Sequence, residues 1–79
     1  MVPLERLGPG EIGFVGVLDG GHRLVSRLAA LGFTPGASIT VVRNHGTGPL
    51  IVLVRGAQIA LGRGEARRIK VHPSDDHDG

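Results

Sequence analysis

The sequence predicts a mainly β chain that folds as a small SH3-like β-barrel with one α-helix inserted after the first strand. Its 79 residues suffice for one hydrophobic core and are too few for two. Five short segments are rich in β-branched residues, as strands are, and one longer segment has helical periodicity. The 14 glycines fall mostly at the breaks, where a small barrel needs tight corners. An OB-like barrel is the neighbouring alternative.

The chain begins with a short apolar segment that leads into the first strand. Leu4 and Leu7 lie three residues apart and precede a Pro/Gly turn, which predicts a short anchoring segment. Residues Ile12–Leu18 mix β-branched and aromatic side chains, which predicts a strand. Gly13 and Gly16 within this segment indicate bends at a barrel corner.

A helix is predicted to begin at His22, where the apolar period changes from two to that of a helix. Gly32 is expected to be its left-handed C-cap, and Pro35 and Gly36 prevent any continuation. Three leucines share one helical face and are therefore predicted to be buried, namely Leu24, Leu28 and Leu31. Two arginines lie together on another side of the helix, Arg23 and Arg27.

The remaining strands are predicted at Ser38–Arg43, Leu50–Val54, Gln58–Leu61 and Ile69–Val71. Arg55 and Gly56 are expected to form a tight hairpin turn, and Gly62–Arg67 a single helical turn. From Pro73 onward nothing in the sequence can be buried. We therefore expect a barrel domain over 1–73 and a disordered polar tail over 74–79.

The charge distribution indicates a basic folded body. Nine basic residues stand against seven acidic ones, and because three of the acids lie in the tail, residues 1–73 carry about +5. Such a body favours an acidic protein surface or nucleic acid as a partner. The longest apolar run, Leu50–Val54, is too short to span a membrane, and no signal peptide is apparent, so no direct membrane insertion is expected.

Catalysis is not expected from this sequence. Cysteine is absent, which excludes thiol chemistry and thiolate metal sites and suits a reducing cytosol. The serines and threonines lie in no nucleophile-elbow pattern, and the carboxylates outside the tail are scattered singly. The G-x-G-x-x-G match over 8–13 has no preceding strand, so we interpret its glycines as turn residues.

No cofactor is expected to be required. The one ligand-rich stretch lies at the C-terminus and could hold ferrous or zinc ion weakly, through His72, Asp75, Asp76 and His77. A tail site must be ordered when the ion binds, which lowers its affinity. Each histidine alone is more often an ordinary surface residue.

Nucleic acid is the main rival partner. Basic residues cluster near the last strand, at Arg63, Arg67, Arg68 and Lys70. Single-strand binders present exposed aromatic rings, whereas Phe14 and Phe33 are the only aromatics here and are both expected in the core. A solvated basic face is therefore the favoured interpretation, and no nucleic-acid partner is expected.

Several blocks of the sequence together resemble the FeoA family. They run over nearly the whole chain: L-x-x-L-x-P-G from Leu4 to Gly10, the pair Gly20 and Gly21, R-L-x-x-L-G-F-x-P-G from Arg27 to Gly36, G-P-L-I-V-L-V-R-G-A-Q-I-A-L-G from Gly48 to Gly62, and an ending with Ala66, Ile69 and Val71. Each block is weak alone, and the combination is fairly specific.

The resemblance implies a non-catalytic, SH3-like accessory protein of bacterial ferrous iron uptake. It implies a cytoplasmic location, at the inner face of the membrane through the FeoB-type transporter and its cytoplasmic G-domain. On this hypothesis the docking residues lie on and after the helix, at Arg23, Arg27, Gly32, Pro35 and Gly36. Three alternatives stay open: a regulatory domain of a metal-dependent repressor system, a basic nucleic-acid adaptor, and, through an exposed barrel edge, a homodimer.

Overall fold

The computed structural model describes residues 1–74, in which six strands form one antiparallel sheet. The strands are β1 (Val2–Pro3), β2 (Ile12–Leu18), β3 (Ser38–Arg43), β4 (Leu50–Val54), β5 (Ala57–Leu61) and β6 (Ile69–Pro73). Two α-helices, α1 (His22–Ala30) and α2 (Arg63–Arg68), and a 3-10 helix (Leu4–Arg6) complete the fold. The strand order is β1-β6-β2-β3-β4-β5.

The predicted architecture is confirmed, with one strand more than expected. The five predicted strands correspond to β2 through β6, and the inserted helix follows the first of them. The additional strand, β1, consists of two residues that pair with Val71 and Lys70 of β6. A segment of two residues that includes a proline carries no strand signal, which is why the sequence interpretation missed it.

The core consists of aliphatic side chains from both the sheet and the helices. The largest fully buried members are Phe33, Leu4, Leu28, Ile39, Leu50, Leu61 and Ile69. The predicted anchoring segment is confirmed, because Leu4 and Leu7 are both buried in this cluster. Within the described residues 1–74 no polar or charged residue is buried.

The bends predicted in β2 are present. A Cβ at Gly13 would lie 2.9 Å from Val71 Cγ2, so only glycine allows β2 and β6 to approach this closely. The register between the same two strands shifts between Val15 and Val17, which places Gly16 at a β-bulge.

The burial predicted for the helix face is wrong for Leu31. Leu28 is fully buried and Leu24 is half-buried, whereas Leu31 is 41% exposed. Helix α1 ends at Ala30, and Gly32 (φ 112°) turns the chain so that the Phe33 N–H donates to the Leu28 carbonyl. Phe33 is fully buried, so it takes the core position beyond Leu28 that the helical period assigned to Leu31.

The core position predicted for Phe14 is also wrong, because Phe14 is 40% exposed. Its neighbours Gly13 and Val15 are buried, and successive side chains of a strand point to opposite faces. Phe14 therefore lies on the outer face of the sheet. Propensity indicated a strand here, and the register decided which residues of that strand face the core.

Candidate docking surface

The exposed side of α1 carries both arginines that the sequence singled out. Arg23 and Arg27 are exposed and lie one helical turn apart. The Arg27 guanidinium is not free, because its Nη2 donates to Glu65 Oε2 on α2. Among residues 1–74, Arg23 forms no ion pair, so it is the arginine of this pair that is available to a partner.

Glu65 connects α1 with the start of α2. Its Oε1 accepts the Gly62 N–H at 3.0 Å, and its Oε2 accepts the Arg27 guanidinium. The Gly62 hydrogen bond first, and then the bond from Arg27, lower the pKa of Glu65. Both bonds are stronger to the ionised carboxylate, which thus caps the start of α2 through Gly62 and connects α2 with α1 through Arg27.

The predicted loop residues are explained by the turns that they form. Gly32 has φ 112°, as expected of a left-handed helix C-cap. The Ala37 N–H donates to the Thr34 carbonyl at 2.9 Å, and Gly36 has φ 86°, which are features of a type II turn with Pro35 at its second position. Pro35 and Gly36 are exposed beside the end of α1 and remain predicted partner contacts.

The structure adds Arg55, which the sequence interpretation treated only as a turn residue. Arg55 (φ 51°) and Gly56 (φ 80°) both have positive φ, as a two-residue type I′ hairpin turn requires. The Arg55 side chain extends over Gly32, where an added Cβ would meet its Cδ at 3.0 Å. Its Nη2 donates to Thr34 Oγ1 at 3.2 Å. The one sequence signal was an arginine where such turns favour asparagine or glycine.

These residues form one continuous exposed area, which we call the α1 surface. Leu31 stands near its centre, one turn after Arg27 and directly before the glycine that Arg55 covers. The area therefore combines an exposed apolar side chain with guanidinium groups on either side. It comprises Arg23, Arg27, Leu31, Pro35, Gly36 and Arg55, while Gly32, which the sequence also assigned to partner contact, is buried beneath the Arg55 side chain.

The basic cluster predicted near the last strand is largely engaged in ion pairs. Arg63 and Arg67 both contact Glu5, at 3.8 and 3.3 Å. Lys70 contacts Asp19 at 3.4 Å. Of the predicted cluster, Arg68 forms no ion pair within the described residues 1–74. Arg63 and Arg67 thus connect α2 with the 3-10 helix, and Lys70 connects β6 with the residue that follows β2.

The predicted metal residues fall mainly outside the part of the chain that the structure describes. His72 is exposed on β6 near Gly16, while Asp75, Asp76 and His77 lie beyond residue 74. Over residues 1–74 no group of three or more histidine and carboxylate side chains is positioned to hold a metal ion. The tail site therefore stays a prediction.

The described residues also bear on catalysis and on membrane contact. Residues 1–74 enclose no pocket that could hold a substrate. No helix in this same part of the chain has the length and apolar character needed to cross a bilayer.

Comparison with known proteins identifies the family. The sequence model of the FeoA domain matches residues 2–73. The chain belongs to the FeoA family. Its relatives carry names of ferrous iron transport, and this is not a known enzyme family.

Individual relatives agree with this assignment over nearly their whole length. A candidate Fe(2+) transport protein A of Methanocaldococcus jannaschii is 36% identical over 75 residues, which are 95% of this chain and 90% of the relative. The crystal structure of an iron uptake regulatory protein, FeoA, is 42% identical with a TM-score of 0.87, covering 92% of this chain and 97% of that one. Stenotrophomonas maltophilia FeoA, solved in complex with zinc, is 30% identical with a TM-score of 0.77, covering 90% and 89%.

The S. maltophilia protein is described as an SH3 domain protein, which confirms the SH3-like class predicted for this FeoA-family chain. A manganese-dependent transcriptional repressor shares the fold with a TM-score of 0.83. It is only 21% identical, and the match covers 41% of the repressor, so the likeness concerns the fold alone.

Proposed function

We propose that this FeoA-family protein is a non-catalytic accessory of ferrous iron transport that docks on the cytoplasmic part of an FeoB-type transporter. Docking uses the α1 surface and modulates the transporter's nucleotide cycle or its gating. On this proposal the protein is cytoplasmic and reaches the inner face of the membrane through its partner. Iron is the cargo of the transporter and needs no resident site on this chain.

The observation that supports this proposal most directly is the exposure of Leu31 in the middle of the α1 surface. The helical period would bury this leucine, yet it is 41% exposed beside Arg27 and near Arg55. Exposed apolar side chains ringed by polar groups are typical of protein interfaces, where arginine is also enriched. The basic flanks favour an acidic partner surface.

The relatives support the transport context. The S. maltophilia protein is described as a candidate activating factor of bacterial ferrous iron transport, and the Methanocaldococcus jannaschii relative is named for Fe(2+) transport. Three of the four basic residues near β6 are paired with Glu5 or Asp19, which offsets part of their positive charge. This arrangement favours a protein partner over nucleic acid.

Capture of the soluble domain of the transporter tests the proposal. Leu31→Asp and Arg23→Glu change exposed side chains of the α1 surface and leave the Arg27–Glu65 pair in place. Because a buried anchor contributes a large share of binding free energy, we expect Leu31→Asp to weaken capture by about tenfold or more. Arg43→Glu on β3 is the matched control for Arg23→Glu, since Arg43 is also exposed and lies outside the α1 surface.

The outcomes separate the claim that the α1 surface is the docking surface from the claim that the protein docks on the transporter at all. Wild type and Arg43→Glu should be captured to the same extent, while Leu31→Asp should be captured more weakly. Equal capture of every variant would remove the α1 surface from the proposal. Failure of the folded wild type to bind the soluble domain or the intact transporter would end the docking hypothesis itself.

A further inference from the structure

Strand β5 is an edge strand without the features that usually protect such edges. It occupies one end of the sheet and pairs only with β4. Its residues, Ala57–Leu61, include no charge and no proline, and its register with β4 runs without a bulge. The opposite edge, β1, is only two residues long and contains Pro3. Natural sheets block exposed edges with charges, proline or bulges, so the open edge of β5 requires an explanation.

The hairpin geometry identifies which backbone groups of β5 are free. The two-residue turn makes Val54 and Ala57 a hydrogen-bonded pair, and hydrogen-bonded and non-bonded pairs alternate along antiparallel strands. The N–H and C=O groups of Gln58 and Ala60 therefore point away from β4. Within residues 1–74 no other group forms a hydrogen bond with them. Gln58 and Ala60 are both exposed.

On the outer face of the sheet, the cross-strand neighbours of the exposed β5 residues carry no charge. Gln58 lies opposite Leu53, and Ala60 lies opposite Ile51. The arginines that bracket the strand are turned elsewhere: the Arg55 guanidinium bonds to Thr34, and that of Arg63 bonds to Asn44 and Gly48. A second basic molecule can therefore approach along β5 without placing free like charges in contact.

We propose that β5 pairs antiparallel with β5 of a second copy of this chain about a twofold axis at Ile59. In this register Gln58 of each copy lies opposite Ala60 of the other, and each such pair exchanges both of its N–H···O bonds. The register satisfies every free backbone group of the edge. The same patch serves both copies, as a twofold interface requires, and the two sheets become one continuous sheet.

A pair of charge variants tests both the association and its register. Gln58→Lys combined with Ala60→Lys places two cations directly opposite each other at both pairs. Gln58→Lys combined with Ala60→Glu places a cation opposite an anion at the same positions. Because opposed like charges destabilise and unlike charges stabilise a strand pair, the dissociation constants of the two variants should differ by about tenfold or more.

Sedimentation velocity measures the association. The interface is small, so the wild-type mass should rise from monomer toward dimer between about 10 μM and about 1 mM. The Lys/Glu variant should behave like wild type, and the Lys/Lys variant should remain monomeric. Both variants should fold, because positions 58 and 60 are exposed, and circular dichroism verifies this.

Amide hydrogen exchange on the wild type provides a second readout that needs no variant. The amides of Gln58 and Ala60 should exchange more slowly as the protein concentration rises, while the exposed Arg23 amide in the first turn of α1 should not change. A wild type that stays monomeric over the whole range would overturn the proposal. Equal association of the Lys/Lys and Lys/Glu variants, or protection at other amides with none at 58 and 60, would overturn it as well.

Discussion

Two leucines on the same predicted helix face should respond very unequally to truncation, which tests the corrected position of the helix. Leu28 is fully buried among the core side chains, and Leu31 is 41% exposed. Leu28→Ala removes the same atoms as Leu31→Ala from the same short segment. The local effect of replacing leucine by alanine is therefore similar in the two variants. The difference between their stabilities reports the tertiary packing.

The size of the difference follows from burial. Removing a fully buried leucine side chain costs about 2–5 kcal/mol, because the transfer free energy is lost and a cavity remains. An exposed truncation changes stability by about 0.5 kcal/mol or less. For a domain of this size the total stability is about 5 kcal/mol, so Leu28→Ala should remove about two fifths of it or more.

Urea unfolding followed by circular dichroism measures the effect. Leu28→Ala should lower the midpoint strongly with an unchanged slope, and its melting temperature should fall by about 10 °C or more. Leu31→Ala should lower the midpoint by much less, because 41% of this residue's surface is already exposed to solvent. If the two variants lost equal stability, the helix would be packed through the face that the period alone predicts, and the displacement of Leu31 by Phe33 would be refuted.

Three further predictions concern the α1 surface and the tail. Gly32→Ala should destabilise the fold by about 1–3 kcal/mol in urea unfolding, because φ 112° is strained for alanine and the new Cβ meets Arg55; an unchanged midpoint would contradict this conformation. The lowered pKa of Glu65 stabilises the native state fully above the ordinary value of 4.5, and this stability is lost as the pH falls through the folded-state pKa. Glu65→Gln should therefore flatten the stability profile in acid, and a profile identical to wild type would show that the carboxylate is not engaged. The candidate metal site in the tail consists of Asp75, Asp76 and His77 together with His72. Calorimetry with zinc or ferrous ion should therefore give weak heats of binding that disappear when residues 74–79 are deleted. Equal heats from the full-length and the shortened protein would exclude this site.

Much of the local structure was predictable from residue chemistry alone. Short apolar runs between turn residues indicated β2 through β6, a change of period indicated α1, and Gly32 indicated where that helix ends. The Arg55–Gly56 turn was also predicted, because two positive φ angles between strands have a recognisable sequence pattern. These features depend on interactions within a few residues, which any single sequence displays.

The candidate docking surface was predictable only in part. Arg23 and Arg27 were found from their spacing on α1, and both are exposed. Leu31 was assigned to the core because a period shows which residues share a face and not how far the core extends beneath it. Arg55 was missed as a surface residue because the loop that it covers lies 21 positions away in the chain.

Amino-acid sequence by itself determined most of the elements and turns and the basic character of this protein, because these follow from short-range sterics and composition. Only the tertiary structure decided which side chains are exposed and which charges are neutralised. Glu5 meets Arg67 across a separation of 62 residues, and Glu65 meets Arg27 across 38. Such contacts form when the folded chain brings distant elements together, and the same tertiary arrangement leaves Leu31 and the edge of β5 exposed.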